Sequence, residues 1–216
     1  MLTLTTFRSV PSFAIGYVRD LRVRWALEEA GLPYTLRLLE GQEAATPAYR
    51  QEQPFSQIPV LQDGGLTLFE TGAILLHLGE RCPALLPVDA DAKARVTMWM
   101  FAAMNSVEPY VANLVNLVVF SAGEPWAAGA RPPAQAMADK RLRDLDDWLE
   151  GRAWLADAFS AADILMTTVL RLMDDMEMVE RFGRVKAYRD RCMARPAFQK
   201  ALADQVALFT QVPAAA

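Results

Sequence analysis

The stretch IPVLQDGGLTLFET (58–71) constrains the fold of this chain more than any other. Gly64-Gly65 separates two short apolar runs, IPVLQD (58–63) and LTLFE (66–70), and a two-residue glycine loop is the chemistry of a tight β-hairpin. TGAILLHLGERC follows with the character of a helix. Upstream, LTLTTF (2–7) and YTLRLLE (34–40) alternate in the manner of strands. Between them, GYVRDLRVRWALEEAG sets Val18, Leu21 and Trp25 at i, i+3 and i+7, and Gly31 supplies a C-terminal stop. The first 82 residues therefore predict a βαβ unit, an irregular segment and a ββα unit.

The pattern changes after Cys82. PALLPVDADA (83–92) carries two prolines and alternating acids, as expected of a linker between domains. Residues 93–216 lack strand alternation and predict helices throughout. Residues 92–121 read as one long helix or a kinked pair, with Pro109 at the kink. Residues 123–133, with three prolines and two glycines, read as a loop. The next helix, 134–150, sets Leu142, Leu145 and Leu149 on one face. In FSAADI, Ser160 can cap the Asp163 N–H, Asp163 can reach back to Ser160, and Phe159 can pack on Ile164. That is a capping box with a hydrophobic staple, a purely structural device.

Composition excludes several classes of partner. Hydrophobic residues make up 53% of the chain, ample for a packed core. Lysine plus arginine (22) against aspartate plus glutamate (26) leaves a net charge of -4, and no basic stripe is present to track phosphates, so nucleic acid is not an expected partner. Cys82 and Cys192 have neither CxxC nor Cys/His ligand spacing, so no metal site and no disulfide framework is expected, and a reducing compartment fits. MLTLTTFRS lacks the charged and apolar regions of a signal peptide. The most apolar run, Val111 to Ala122, is 12 residues long, short of the ~20 needed to span a bilayer. A cytoplasmic protein without a membrane partner is expected.

Two motifs carry a family resemblance. QIPVLQDGGLTLFETGAILLHLGER is similar to the segment with which glutathione transferases hold the glutathione tripeptide, and WLADAFSAADI is similar to the capping motif of their second domain. Over essentially its whole length the chain resembles that family, in particular its bacterial, serine-type, zeta- or theta-like members. The resemblance implies a thioredoxin-like α/β domain over residues 1–82, a linker at 83–92 and an all-α helical bundle over 93–216. Where the family usually has a glycine shortly before its Val-Pro pair, this chain has Ser56.

The resemblance also implies a glutathione site. A cis Ile58-Pro59 bond would turn the Val60 peptide outward to pair with the cysteinyl backbone of the ligand. Backbone N–H groups at a helix start bind carboxylates, and a carboxylate pairs with an ammonium, so Thr71 and Glu70 match the two charged groups of a γ-glutamyl end. A plain structural reading is also open: Thr71 caps its helix and Glu70 favours the helix dipole. Gln57 could reach the glycyl carboxylate. Phe55, four residues before Pro59, stands where some members present an aromatic key to a partner subunit, which implies a homodimer; a ring packed on its own loop is the equally open structural reading.

Glutathione chemistry needs a thiolate, and a free thiol with a pKa near ~8.5 is only ~3% ionised at pH 7. Lowering that pKa by ~2 takes ~2.7 kcal/mol, within reach of one hydroxyl hydrogen bond to a charged sulfur at ~1.5–3 kcal/mol. Read forward from the first strand, the family's catalytic hydroxyl falls on Ser9; read backward from the helix, it falls on Tyr17, and Ser12 lies between. Ser9 is the first choice, with Ser12 and Tyr17 as alternatives. No cysteine lies in this segment, against the members that use a protein thiol. Met98, Phe101, Met104, Asn105 and Glu108, on the first long helix of the second half, are candidates to contact the electrophile. His77, the only histidine, suggests no base or metal role. The function implied is activation of the glutathione thiol toward small apolar electrophiles. The alternatives are a non-catalytic binding or regulatory protein of the same fold, or a glutathione-dependent isomerase or peroxidase.

Overall fold

β1 (Leu2–Phe7) lies parallel to β2 (Tyr34–Leu39) on one side and antiparallel to β3 (Val60–Asp63) on the other. β4 (Leu66–Leu68) completes the sheet, in the order β2-β1-β3-β4. A parallel pair requires a crossover, and α1 (Asp20–Ala30) provides it. The hairpin closes on the two glycines: Asp63 pairs with Leu66, and Gly64 takes φ 61°, a left-handed conformation in which a side chain would be strained. α3 (Thr71–Gly79) follows directly. This is the expected βαβ-ββα arrangement, seen in a computed structural model that describes residues 1–211.

Two local expectations change. The helix expected from Gly16 begins only at Asp20, because Gly16 turns into the left-handed region at φ 84° and leaves residues 8–19 as a long connection with one 3-10 turn, Ser12–Ala14. The irregular segment contains a second 3-10 turn, Gly41–Ala45, and a one-turn helix, α2 (Pro47–Arg50). Thr46 caps α2 by accepting the Tyr49 N–H at 3.3 Å, and Pro47 occupies the first position, where its missing N–H costs nothing.

The chain forms two compact units, Met1–Leu86 together with the segment from Arg195 onward, and Pro87–Ala194. The last helix, α9 (Pro196–Gln211), packs on α1 in the first unit, although its sequence reads as a continuation of the helices before it. Its apolar face explains this: Phe198 meets the Trp25 ring edge-on at 4.8 Å between centroids, and both are fully buried. Charges reinforce the contact, with Arg195 on Glu29 and Lys200 on Glu28 at 3.0 Å. Asp20, fully buried, accepts from Arg24 Nε at 2.6 Å and from the Gln205 side chain of α9.

In the second unit, α4 (Ala90–Phe101) and α5 (Glu108–Val115) are joined by a π-helical segment at Ala102–Val107, and Pro109 sits in the first turn of α5. At the proline where a kink is expected, the helical path is interrupted by wider π-helical turns just before it. α6 (Ala127–Trp148) overturns the loop expected at 123–133: Pro132 and Pro133 lie inside the helix. Interior prolines cost a helix ~3 kcal/mol or more, but Ala127, Ala134, Ala138, Leu142 and Leu145 form one buried stripe across them. α7 (Ala161–Arg171) is buried along its whole length and opens with the expected box. Asp163 accepts from the Ser160 N–H at 2.8 Å, the Leu155 N–H at 3.1 Å and the Tyr188 hydroxyl at 2.9 Å. α8 (Gly183–Met193) brings Tyr188 to it. Among the described residues no helix is long and apolar enough to cross a membrane.

Candidate functional site

One apolar cluster organises the candidate residues of the first unit. Leu39, Ala44, Tyr49 and Val60 form its buried core, and Phe7, Ile58 and Phe69 pack against it. Each of those last three lies within two residues of a candidate in sequence: Phe7 is two before Ser9, Ile58 follows Gln57, and Phe69 precedes Glu70. The strand end, the proline loop and the start of α3 therefore converge on one patch.

The proline loop has the form the resemblance implies. Ile58-Pro59 is cis, and β3 begins at the next residue. Val60 pairs with Thr5 on the β1 side, while β4 reaches only as far as the Leu61–Leu68 pair, so Val60 has no partner in β4. Ser56 takes φ 58°, the left-handed conformation for which the family's glycine is suited. Two bonds hold it there, from Ser56 N–H to the Gln53 carbonyl at 3.1 Å and from Arg50 Nε to the Ser56 hydroxyl at 3.0 Å. The Gln57 side chain is on an exposed residue.

At the other side of the patch, Glu70 precedes α3 with φ 68° and ψ 117°. Such a backbone costs a non-glycine residue ~1–3 kcal/mol and is found where ligands are gripped. Its carboxyl lies on an exposed residue, whereas Thr71 is buried at the first position of α3. Arg22 of α1, itself buried, donates to the Thr71 hydroxyl at 3.2 Å. A guanidinium only donates, so this bond makes Thr71 the acceptor and leaves its own proton for another partner. Arg22 had no signal in the sequence, since it falls within an apolar helical stripe.

The three hydroxyls occupy different settings. The β1–β2 ladder runs one step beyond Phe7, with Arg8 N–H on the Leu39 carbonyl at 2.8 Å, which makes half-buried Ser9 the first residue past the sheet. Ser12 opens the 3-10 turn and is exposed, and Tyr17 is partly buried three residues before α1. Neither protein thiol is a competing nucleophile in this patch: Cys192 lies in α8 with its thiol pushed up to about 12 by burial, and Cys82 follows α3. Among the described residues no cluster suited to a metal ion occurs. His77 bonds Asp63 at 2.8 Å, and Arg81 reaches the same carboxylate. Those contacts hold the Asp63 carboxyl below its ordinary value and tie α3 to the hairpin.

Phe55 carries an exposed ring, 65% accessible, that touches Phe69 edge-on at 6.2 Å. Its N–H donates to the Gln53 side chain, so its backbone is held while its ring faces outward.

Comparison with known proteins places both units. Residues 12–80 match the family model for the glutathione S-transferase N-terminal domain, and residues 118–196 match that for the C-terminal domain. Glutathione S-transferase 4 of Zea mays is 32% identical over 210 residues, covering 90% of each chain. A zeta class glutathione S-transferase of Euphorbia esula is 31% identical over 216 residues, covering 92% of this chain and 88% of its own. Among solved structures, a Pseudomonas putida glutathione transferase with one glutathione disulfide bound per subunit superposes with a TM-score of 0.81 at 25% identity, over 93% of this chain and 90% of that one. A Burkholderia graminis glutathione transferase with two glutathione molecules bound per subunit gives 0.79 at 28% identity, over 93% and 87%.

Proposed function

Because the chain belongs to the glutathione S-transferase family, we propose that it binds glutathione through residues 1–82 and activates its thiol for attack on a small apolar electrophile. The observation that carries this reading is the convergence of Phe7, Ile58, Val60 and Phe69 on one patch. In this reading Glu70 pairs with the γ-glutamyl ammonium. The γ-glutamyl carboxylate takes the Thr71 hydroxyl proton and the N–H groups at the start of α3. The Val60 peptide holds the cysteinyl backbone across the edge that β4 leaves open, beside Ile58 and Pro59, and Gln57 reaches the glycyl carboxylate. Ser9, the first hydroxyl past β1, donates to the thiolate, with Ser12 and Tyr17 as the alternatives. The thiol proton leaves to solvent, and a sulfur lone pair forms the new carbon–sulfur bond. The displaced electron pair departs with the electrophile's leaving group or, where the electrophile is an activated double bond, moves onto it and takes up a proton from solvent.

Calorimetry with glutathione, combined with a conjugation assay across several electrophiles, tests the assignment. Ser9→Ala is expected to raise the pKa of bound glutathione by roughly 1–2 and to cut turnover at neutral pH about 10- to 100-fold, with affinity nearly unchanged, since ~1.36 kcal/mol separates the two protonation states per pKa unit. Glu70→Gln keeps shape but removes the ammonium's partner, and is expected to weaken binding by ~1.5–3 kcal/mol. Unchanged affinity in a folded Glu70→Gln protein refutes the site. Ser12→Ala and Tyr17→Phe belong in the same series, and whichever shifts the thiol identifies the hydroxyl. The long connection over residues 8–19 favours a second reading, a binding protein that no longer activates a thiol. If none of the three variants moves the titration, any activation comes from the helix start or backbone N–H groups alone, and the second reading gains weight.

The same reading makes the protein a cytoplasmic homodimer with Phe55 at its interface. An exposed aromatic ring on a held backbone is suited to a pocket in a second copy, and two-fold closure is the commonest way to bury it. Sedimentation at micromolar concentration is expected to give a dimer, and Phe55→Ala to shift it toward monomer; a clean monomer in the parent rules the interface out.

A further inference from the structure

We propose that Tyr49 is a positioning residue for glutathione, its hydroxyl holding the Gln57 carbonyl and so aiming the Gln57 side chain at the ligand. This rests on the glutathione reading above. Tyr49 belongs to the single turn of α2, and its ring, 4% accessible, is part of the buried cluster with Leu39, Ala44 and Val60. From there its hydroxyl donates to the Gln57 carbonyl at 2.7 Å.

The bonds along the loop show what that contact adds. The turn after α2 is closed by Gln53 N–H on the Tyr49 carbonyl at 2.9 Å. The Gln53 side chain then accepts the Phe55 N–H, and Arg50 Nε donates to the Ser56 hydroxyl. These local contacts carry the chain as far as Ser56, where the left-handed φ of 58° redirects it. Gln57 comes next, and its carbonyl is secured by a side chain eight residues upstream and anchored in the core. One residue later the chain enters the Ile58-Pro59 step and then β3. The exposed Gln57 side chain thus projects from a peptide whose orientation is set by Tyr49.

The electrostatics keep this bond in one sense. Burial pushes the Tyr49 phenol up to about 12, against the pull of the Arg37 guanidinium 5.7 Å from the ring centre. The phenol therefore stays protonated and remains a donor through the neutral range. Arg37 is itself held by a two-pronged pair with Glu52 at 2.8 and 3.1 Å, so the ring is flanked by a fixed cation.

Tyr49→Phe tests the proposal, because phenylalanine keeps the packing and removes only the hydroxyl. Losing one neutral hydrogen bond that orients a ligand group is expected to weaken glutathione binding about three- to tenfold. Turnover at saturating glutathione and the pH profile of the thiol should not change, since the residue acts on Gln57 and not on sulfur. A double-mutant cycle separates aiming from general destabilisation: in a Gln57→Ala background the same substitution should cost less than about twofold. Parent-like affinity in Tyr49→Phe, an equal loss in both backgrounds, or a shifted thiol profile overturns the proposal. A parent protein that fails to bind glutathione removes the functional reading itself, and this proposal with it, whereas a binding parent with an indifferent Tyr49→Phe variant removes the proposal alone.

Discussion

Replacing Asp20 with alanine is expected to destabilise the first unit by about 3–5 kcal/mol at neutral pH, the usual consequence of stripping a buried ion of its partner. Arg24, 2% accessible, has its Nε on the Asp20 carboxylate at 2.6 Å, and Gln205 of α9 donates to the other oxygen. Alanine leaves a buried guanidinium uncompensated and frees α9 from the start of α1. Denaturant unfolding followed by circular dichroism reads the loss, and a change below ~1 kcal/mol would mean that water replaces the carboxylate. The pH dependence has a definite sign. Burial outweighs the neighbouring charge and donors and raises the Asp20 carboxyl above its ordinary value of 3.8, so the folded chain holds that proton to higher pH than the unfolded chain. The stability contributed by this titration is complete below the unfolded value and is lost as pH rises through the folded one. The gap between parent and Asp20→Ala should therefore be wider in acid than at neutral pH.

Asp163→Ala is expected to be equally severe in the second unit, at about 3–5 kcal/mol, because each buried donor left without an acceptor costs ~1–3 kcal/mol and these losses overlap. The carboxylate is inaccessible and serves Leu155 N–H, Ser160 N–H, the Ser160 hydroxyl and the Tyr188 hydroxyl. It thereby closes the cap of α7, fixes the preceding loop and ties α8 to both. Against a typical domain stability of ~5–15 kcal/mol, such a loss is a large fraction of the whole. Asp163→Asn should lose about half as much, since its amide oxygen can still accept at one position while the other becomes a donor facing donors. Calorimetric unfolding checks both variants; an alanine variant that melts with the parent would show that the box is dispensable.

Much of the first unit, and the start of α7 in the second, was legible because those signals are local. Alternation in LTLTTF and YTLRLLE, the two-glycine turn and the Ser160–Asp163 spacing each describe contacts within a few residues, and β1, β2, the hairpin and the α7 cap follow them. The reading failed where a local rule was overridden. Two adjacent prolines argued for a loop at 123–133, yet α6 runs through them because its buried stripe continues on both sides. Gly16 lies inside an apparently helical run, and its left-handed turn delays α1 to Asp20. That delay is why forward and backward counting selected different hydroxyls: the family's position after the strand and its position before the helix are separated here by the connection over residues 8–19. Thr46-Pro47 was a legible start for α2, a cap followed by a first-turn proline, and with it Tyr49 could have been found.

By itself, the sequence determined the family, the order of strands and helices in the first unit and the helical character of the second, since turn chemistry, capping and periodicity act between near neighbours in the chain. Only the tertiary structure decided that α9 returns to α1, that Arg22 donates to Thr71 and that Tyr49 secures Gln57. The physical reason is separation: Gln205 meets Asp20 across 185 positions and Arg22 meets Thr71 across 49, and no local pattern encodes the burial that makes such polar contacts worth forming.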